Sequence, residues 1–194
     1  QVDTCAGEFE AVTPYYYFAY EEFPGKVAEK ALKSAADLAA DALKTKRESV
    51  VILGSGPNRI GQGAELDYCC VKAAEALEEL GYDAVMVNCN PETVSTDYDI
   101  SSRLYFEPLE EENVRRVLKQ EAGALKGILC QTGGQTALRL SQSLSDFTIL
   151  GTTAEQIDRA EDRGKFDRLL QKLKLRRPKS KTVKSLDQLS LAAR

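Results

Sequence analysis

The chain has 194 residues, and its 26 Lys and Arg against 30 Asp and Glu give a formal net charge of −4. Hydrophobic residues at 43% suffice for the core of one domain with an appendage. The absence of histidine excludes His triads, His metal sites and His general bases, and the interspersed charges argue against nucleic acid as a general partner.

No signal-peptide pattern opens the sequence, and Gln1-Val-Asp-Thr4 reads as the start of a piece cut from something longer. Residues 1–25 are aromatic and loop-like, with Tyr15-Tyr-Tyr-Phe-Ala-Tyr20 between the breakers Pro14 and Pro24. Such a cluster exposes too much apolar surface to stand alone, so it packs either on another domain or as a strap across its own. Residues 26–48 form a helical linker on pattern. Ala28, Leu32, Ala35, Ala39 and Ala42 recur at helical spacing, but alanine leaves only a thin apolar stripe.

Val50-Val51-Ile52-Leu53 then reads as a buried strand, followed by a turn with Gly54, Gly56, Gly61 and Gly63 and the opening of a helix. Glycines permit sharp turns and close backbone approach, and a helix N-terminus offers free N–H groups to an anion. Neither common version of this loop fits. The third glycine of a dinucleotide fingerprint is replaced by Arg59, and Gln62-Gly63 stand where a Walker loop needs Lys and Ser or Thr. Strands are expected at 50–54, 84–88, 103–106, 127–130 and 147–150, and helices at 64–80, 110–121, 134–144, 154–160 and 163–174. This alternation predicts an α/β, Rossmann-like parallel sheet with helices on both faces. Right-handed crossovers then gather the loops 54–63, 88–99, 131–135 and 151–153 along one rim. Past Leu175, Arg176-Arg177-Pro178 ends the helix, Thr182-Val183 fit the start of a strand, and Ser185 fits the cap of a last helix from Leu186.

Five cysteines (Cys5, Cys69, Cys70, Cys89 and Cys130) show no metal-ligand spacing, which fits reduced, mostly buried thiols in a cytoplasmic protein. No apolar run approaches the ~18 residues of a membrane span. Glu65 and Glu92 follow two neighbouring rim loops. Close together in a dry cleft, they bind a cation, hold a polar intermediate or perturb each other; apart, they are a first-turn and a solvated-turn carboxylate. Asn58 and Arg59 order the loop or meet an anion. Asn88, Asn90 and Pro91 look like turn chemistry, and Thr93, Ser95, Thr96, Asp97 and Asp99 like a polar brace.

The motifs Gly54-Ser-Gly-Pro-Asn-Arg-Ile-Gly-Gln-Gly63, Glu65-Leu-Asp-Tyr-Cys-Cys70, 88–99, Arg103-Leu-Tyr-Phe-Glu-Pro108, Gly133-Gly-Gln-Thr136 and Ala160-Glu-Asp-Arg163 occur in one order. In that order the chain resembles the large subunit of carbamoyl-phosphate synthases at the start of the second synthetase half. The resemblance implies the tail of an oligomerisation domain at 1–25, a pre-ATP-grasp domain at 49–179 and the opening of an ATP-grasp domain at 180–194. It implies ATP-dependent formation of carbamoyl phosphate from bicarbonate and glutamine-derived ammonia, serving arginine and pyrimidine synthesis. Gly63, Glu65 and Glu92 then line the carbamate passage, Arg163 reaches nucleotide phosphates, and Asn58, Arg59 and Gln135 order the loops. No residue here is assigned a catalytic or metal-ligating role. Arg163 alone reads equally as an exposed helical cation paired with Asp162 or Asp167.

The implied substrates are ATP with Mg²⁺. Past Arg163 there is no second glycine-rich stretch and no acidic cluster, so most of their ligands are expected beyond Arg194 and the chain should not catalyse alone. The implied partners are the remainder of the large subunit and the small glutamine-hydrolysing subunit. Two other readings are a stand-alone Rossmann-like oxidoreductase domain and a non-catalytic interaction module. An oxidoreductase needs an acid at the end of strand two, where Asn88 stands.

Overall fold

A computed structural model describes Tyr16, 47–57, 64–97, 99–178, Lys181, Val183 and 185–192. The expected linker helix at 26–48 and all of the aromatic segment but Tyr16 lie outside the described residues. The chain divides into two units, 1–152 and 153–194.

In the first unit, β1 (Ser49–Leu53), β2 (Asp83–Asn88), β3 (Arg103–Phe106) and β4 (Leu125–Leu129) make one sheet in the order β3-β2-β1-β4. Every pairing is parallel, with Val51 opposite both Val85 and Ile128. The connecting helices are α1 (Ala64–Glu79), α2 (Glu111–Glu121) and α3 (Gly134–Ser143). Alternation along the strands divides the core in two. Val51, Leu53, Val85, Val87 and Ile128 pack with Val114, Val117 and Leu118 of α2 and Ala137 of α3. Ile52, Ala84, Met86 and Leu104 turn to the other face and meet Cys70 and Ala74 of α1. A strand buried on both faces has no polar side to show, which is why Val50 to Leu53 are uninterrupted apolar residues.

The expected strand at 147–150 is corrected to a single bridge. Ile128 N–H donates to Thr148 O and Leu150 N–H donates to Ile128 O, both at 2.9 Å, and Ile149 pairs with Ile128 alone. The ladder has one rung here, so the segment fastens the sheet edge without extending it. Tyr16 does the same at the other edge. Its N–H donates to Leu104 O at 2.8 Å, its carbonyl accepts from Phe106 N–H at 2.7 Å, and its ring lies 5.2 Å from that of Tyr105. At Tyr16, therefore, the aromatic segment lies against the domain's own sheet.

A buried ionic cluster joins the starts of β2 and β3 to the end of α2. Arg103 donates to Glu121 through Nε at 3.1 Å and Nη2 at 2.9 Å, and to Asp83 through Nη1 at 2.9 Å. Tyr105 Oη completes the Glu121 carboxylate at 2.8 Å. Burial and the facing Glu121 carboxylate push the Tyr105 phenol far above its ordinary range. Glu121→Ala leaves the Arg103 cation buried with one partner removed, so a loss of about 3–5 kcal/mol is expected in urea unfolding. A loss below about 1 kcal/mol would show that water reaches the cluster.

The neighbouring Cys69 and Cys70 point in different directions, as helical spacing requires; Cys69 is exposed and Cys70 buried. Burial pushes the thiols of Cys70 and Cys130 from 9.0 up to about 11. The folded state therefore keeps two protons that the unfolded chain releases, and their stabilisation, complete below pH 9.0, is lost as pH rises toward 11. Denaturation midpoints measured across that range are expected to fall, and a Cys70→Ala, Cys130→Ala double variant is expected to flatten the fall.

Candidate functional site

The loops leaving the C-terminal ends of β1, β2 and β4 meet on one rim. Gly54 N–H continues the β1 ladder by donating to Val87 O at 2.8 Å. Beyond it, the Asn88 side chain, fully buried at the end of β2, takes over. Its Oδ1 accepts from Gly56 N–H at 3.0 Å and from Cys89 N–H at 2.9 Å, and its Nδ2 donates to Ser95 Oγ at 3.2 Å. Gly54 is required by this arrangement, because a Cβ there would stand 2.6 Å from Asn88 Cγ. Gly133, at the end of the β4 loop, is as tightly placed. A Cβ on it would run into the carbonyl oxygens of Leu53 and Gly54, which are backbone and have no room to move aside.

The β2 loop is also braced from within and from α1. Thr96 Oγ1 donates to Thr93 O at 2.7 Å and to Asn90 O at 3.0 Å, and Glu92 N–H donates to Asn90 Oδ1 at 3.1 Å. Ser95 N–H, in a short 3-10 turn over Val94–Thr96, donates to Asp67 Oδ2 at 2.9 Å. Partial desolvation, with Asp99 and Asp67 nearby, pushes the Asp97 carboxyl above its ordinary value.

Glu65 lies in the first turn of α1, after β1, and Glu92 in the loop after β2; both are exposed. Because β1 and β2 are adjacent and parallel, their following segments leave from the same edge. Gln135 is the second residue of α3 and is exposed. Asn58, Arg59 and Gly63 lie outside the described residues. In the sequence Asn88 reads as turn chemistry, whereas the structure makes it the tie between two loops. Asp67 has no role assigned from the sequence, although its signal is present there: positions 67, 70, 71 and 74 share one helical face, and an acid on an otherwise apolar stripe needs a partner.

In the second unit, Thr153 caps α4 (Ala154–Glu161) by accepting from Gln156 N–H at 3.4 Å. Asp162 caps α5 (Arg163–Lys172) by accepting from Lys165 N–H at 2.7 Å, which holds its carboxyl below the ordinary value. Ser185 caps α6 (Leu186–Ala192) through Gln188 N–H at 3.3 Å, as anticipated. The strand expected at Thr182-Val183 is not formed at Val183, and Thr182 lies outside the described residues. Arg163 opens α5 and is exposed. Neither acid expected to pair with it does so, since Asp162 is engaged as the cap and Asp167 pairs with Arg177. Arg163, Arg177 and Lys181 line a cavity of about 440 Å³ with Phe166, Leu170 and Pro178. Asp167 lines the same cavity and holds Arg177, so Arg163 and Lys181 beside an apolar wall are what suit an anion that carries a flat or apolar group.

Residues 46–159 match the family model described as the carbamoyl phosphate synthase preATP-grasp domain, which covers more than half of the chain. The chain belongs to that family. It is 50% identical, over its whole length, to the carbamoyl phosphate synthase large chain of Mesorhizobium japonicum and 51% identical over 99% of its length to that of Kocuria rhizophila. The archaeal large chain of Archaeoglobus fulgidus is 48% identical, again over the whole chain. In each case the chain spans 16% of the relative's own length. Membership explains why the glycine loop matched neither the dinucleotide nor the Walker pattern. It also sets aside the oxidoreductase reading, to which Asn88 adds a physical objection: its carboxamide is buried and turned to Gly56, Cys89 and Ser95, so it is not free to hold a ribose.

Asn88→Ala strips partners from Gly56 N–H, Cys89 N–H and Ser95 Oγ at once. Each buried group left unsatisfied costs about 1–3 kcal/mol, so a clear loss of stability is expected, with faster amide exchange at Gly56. Unchanged exchange at Gly56 would show that Asn88 does not hold the loop.

Proposed function

We infer that this chain is the part of a carbamoyl-phosphate synthase large subunit that walls the carbamate-phosphorylating site of the second half. The supporting observation is the convergence on one rim of the loops after β1, β2 and β4, tied together by Asn88 and by the close seat of Gly133. A passage for a small, unstable anion needs walls that hold their spacing without a ligand, and backbone packed on backbone supplies that. In this reading Gly63, Glu65 and Glu92 line the passage, while Asn58, Arg59 and Gln135 order the loops around it.

Arg163 faces the nucleotide phosphates in the adjoining ATP-grasp domain. The Arg163 guanidinium, with no ion-pair partner among the described residues, and Lys181 in the same cavity suit a polyphosphate, while Arg177 is held by Asp167. Among the described residues no group of three or more His, Cys, Asp or Glu side chains is placed to hold a metal ion. The chain alone should bind MgATP negligibly and hydrolyse none. Its partners are the rest of the large subunit and the small glutamine-hydrolysing subunit, in the cytoplasm, serving arginine and pyrimidine synthesis. Among the described residues no helix is long and apolar enough to cross a membrane.

Gly63→Phe in the whole large subunit tests the passage. Carbamoyl phosphate synthesis is expected to be lost while each half's partial ATPase reaction and the melting temperature stay near those of the unmodified enzyme. Synthesis left untouched, or a collapse of the melting temperature, would show that Gly63 does not border a passage.

A further inference from the structure

The two segments that carry Glu65 and Glu92 are joined below the surface. Asp67 lies two residues after Glu65 on α1, and Ser95 three residues after Glu92 in the β2 loop. Ser95 N–H donates to Asp67 Oδ2 at 2.9 Å, Ser95 Oγ accepts from Asn88 Nδ2 at 3.2 Å, and Asn88 Oδ1 accepts from Gly56 N–H at 3.0 Å. Asp67 is 3% exposed and Asn88 and Ser95 are fully buried, so water cannot take the place of any of these bonds. One line of hydrogen bonds thus runs from the first turns of α1, through the β2 loop, to the β1 loop.

The chemistry of Asp67 separates it from a residue kept for stability. Its Oδ1 is buried and meets no hydrogen-bond partner among the described residues, whereas both oxygens of the buried Glu121 carboxylate are matched. Burying a carboxylate with one oxygen unpaired is costly. What the other oxygen gains is a charge-assisted bond to a loop N–H, short and directional, from a side chain with only two rotatable bonds. Apolar packing of similar size would hold α1 to the sheet without that cost, but it would not fix the height of the loop above the helix.

We propose that Asp67 is a positioning residue for the carbamate passage, clasping the Glu92 loop to α1 at the spacing the passage needs. The proposal rests on the passage reading above. Carbamate is short-lived in water, so a passage that gapes loses it, and the first ATP is then consumed without product. Asp67 touches neither substrate nor nucleotide; it acts through Ser95.

The test uses the whole large subunit with its glutamine-hydrolysing partner, in Asp67→Ala and Asp67→Asn forms. Hydrogen exchange over residues 93–97 reads the clasp, and ATP consumed per carbamoyl phosphate formed reads the passage. Asp67→Ala is expected to speed exchange at Ser95 about tenfold or more. It is also expected to raise ATP consumption per product about threefold, with each partial ATPase within about twofold of normal. Asp67→Asn, which keeps an acceptor for Ser95 N–H, is expected to stay close to the unmodified enzyme in both. Asp67→Val, which fills the space without an acceptor, replaces alanine if that variant does not fold. Unchanged exchange in the Ala or Val variant would overturn the clasp. Fast exchange with unchanged stoichiometry, or an Asn variant as uncoupled as the Ala variant, would overturn the positioning role. If Gly63→Phe leaves synthesis untouched, the passage reading fails and this role with it, while the exchange result still reports the clasp.

Discussion

The Asn88 carboxamide holds the rim together. A parallel sheet delivers its loops to one edge, but nothing in sheet geometry fixes how those loops sit against each other. Asn88 fixes it with one planar group: an oxygen that accepts from two loop N–H groups and a nitrogen that donates to Ser95. Aspartate at this position would keep the acceptor and lose the donor, and a hydrophobic residue would lose both. The glycine at position 54 follows from it, since the carboxamide lies where a side chain would have to go.

The two ends of the sheet are built on different physics. At the C-terminal rim, hydrogen bonds to loop N–H groups from the Asn88 carboxamide and the Asp67 carboxylate, with close backbone contacts, hold the loops, and Glu65 and Glu92 stay exposed. At the opposite end, Arg103, Asp83, Glu121 and Tyr105 form a satisfied ionic cluster shut away from water. A buried network with every group matched rigidifies what it joins, here the start of β2, the start of β3 and the end of α2. The end opposite the rim is therefore pinned, and a loop adjustment at the rim has a fixed base to work against.

How far the fold was legible follows from which interactions are periodic. The apolar runs at 50–53 and 84–87 and the helical stripes of α1 and α2 repeat at the period of their element, and those elements appear where expected. The segment 147–150 carries the same apolar signature, yet forms only one bridge; composition registers burial but not how many rungs a partner strand offers. The Arg103–Glu121 pairing has no period at all, because it joins residues from a strand and a helix that meet only after folding. At the site, the glycines and the exposed acids were visible. Asn88 and Asp67 were not read for what they do, since a residue's hydrogen-bond partners across loops leave no mark in its local sequence.

The single-residue bridges at Tyr16 and Ile149 have a consequence beyond the site. In the order β3-β2-β1-β4 the outer strands are β3 and β4, and an open outer strand is a template on which another chain adds by its backbone. Tyr16 engages the carbonyl of Leu104 and the N–H of Phe106 on β3, and Thr148 and Leu150, on either side of Ile149, engage the N–H and carbonyl of Ile128 on β4. Lys126, exposed on β4 and paired with Glu48, sets a charge beside the second bridge. Among the described residues both flanks are thus interrupted at mid-strand, which breaks the row that a second molecule would join. Intermolecular sheet growth, the ordinary hazard of a short parallel sheet, is blocked at the cost of two rungs.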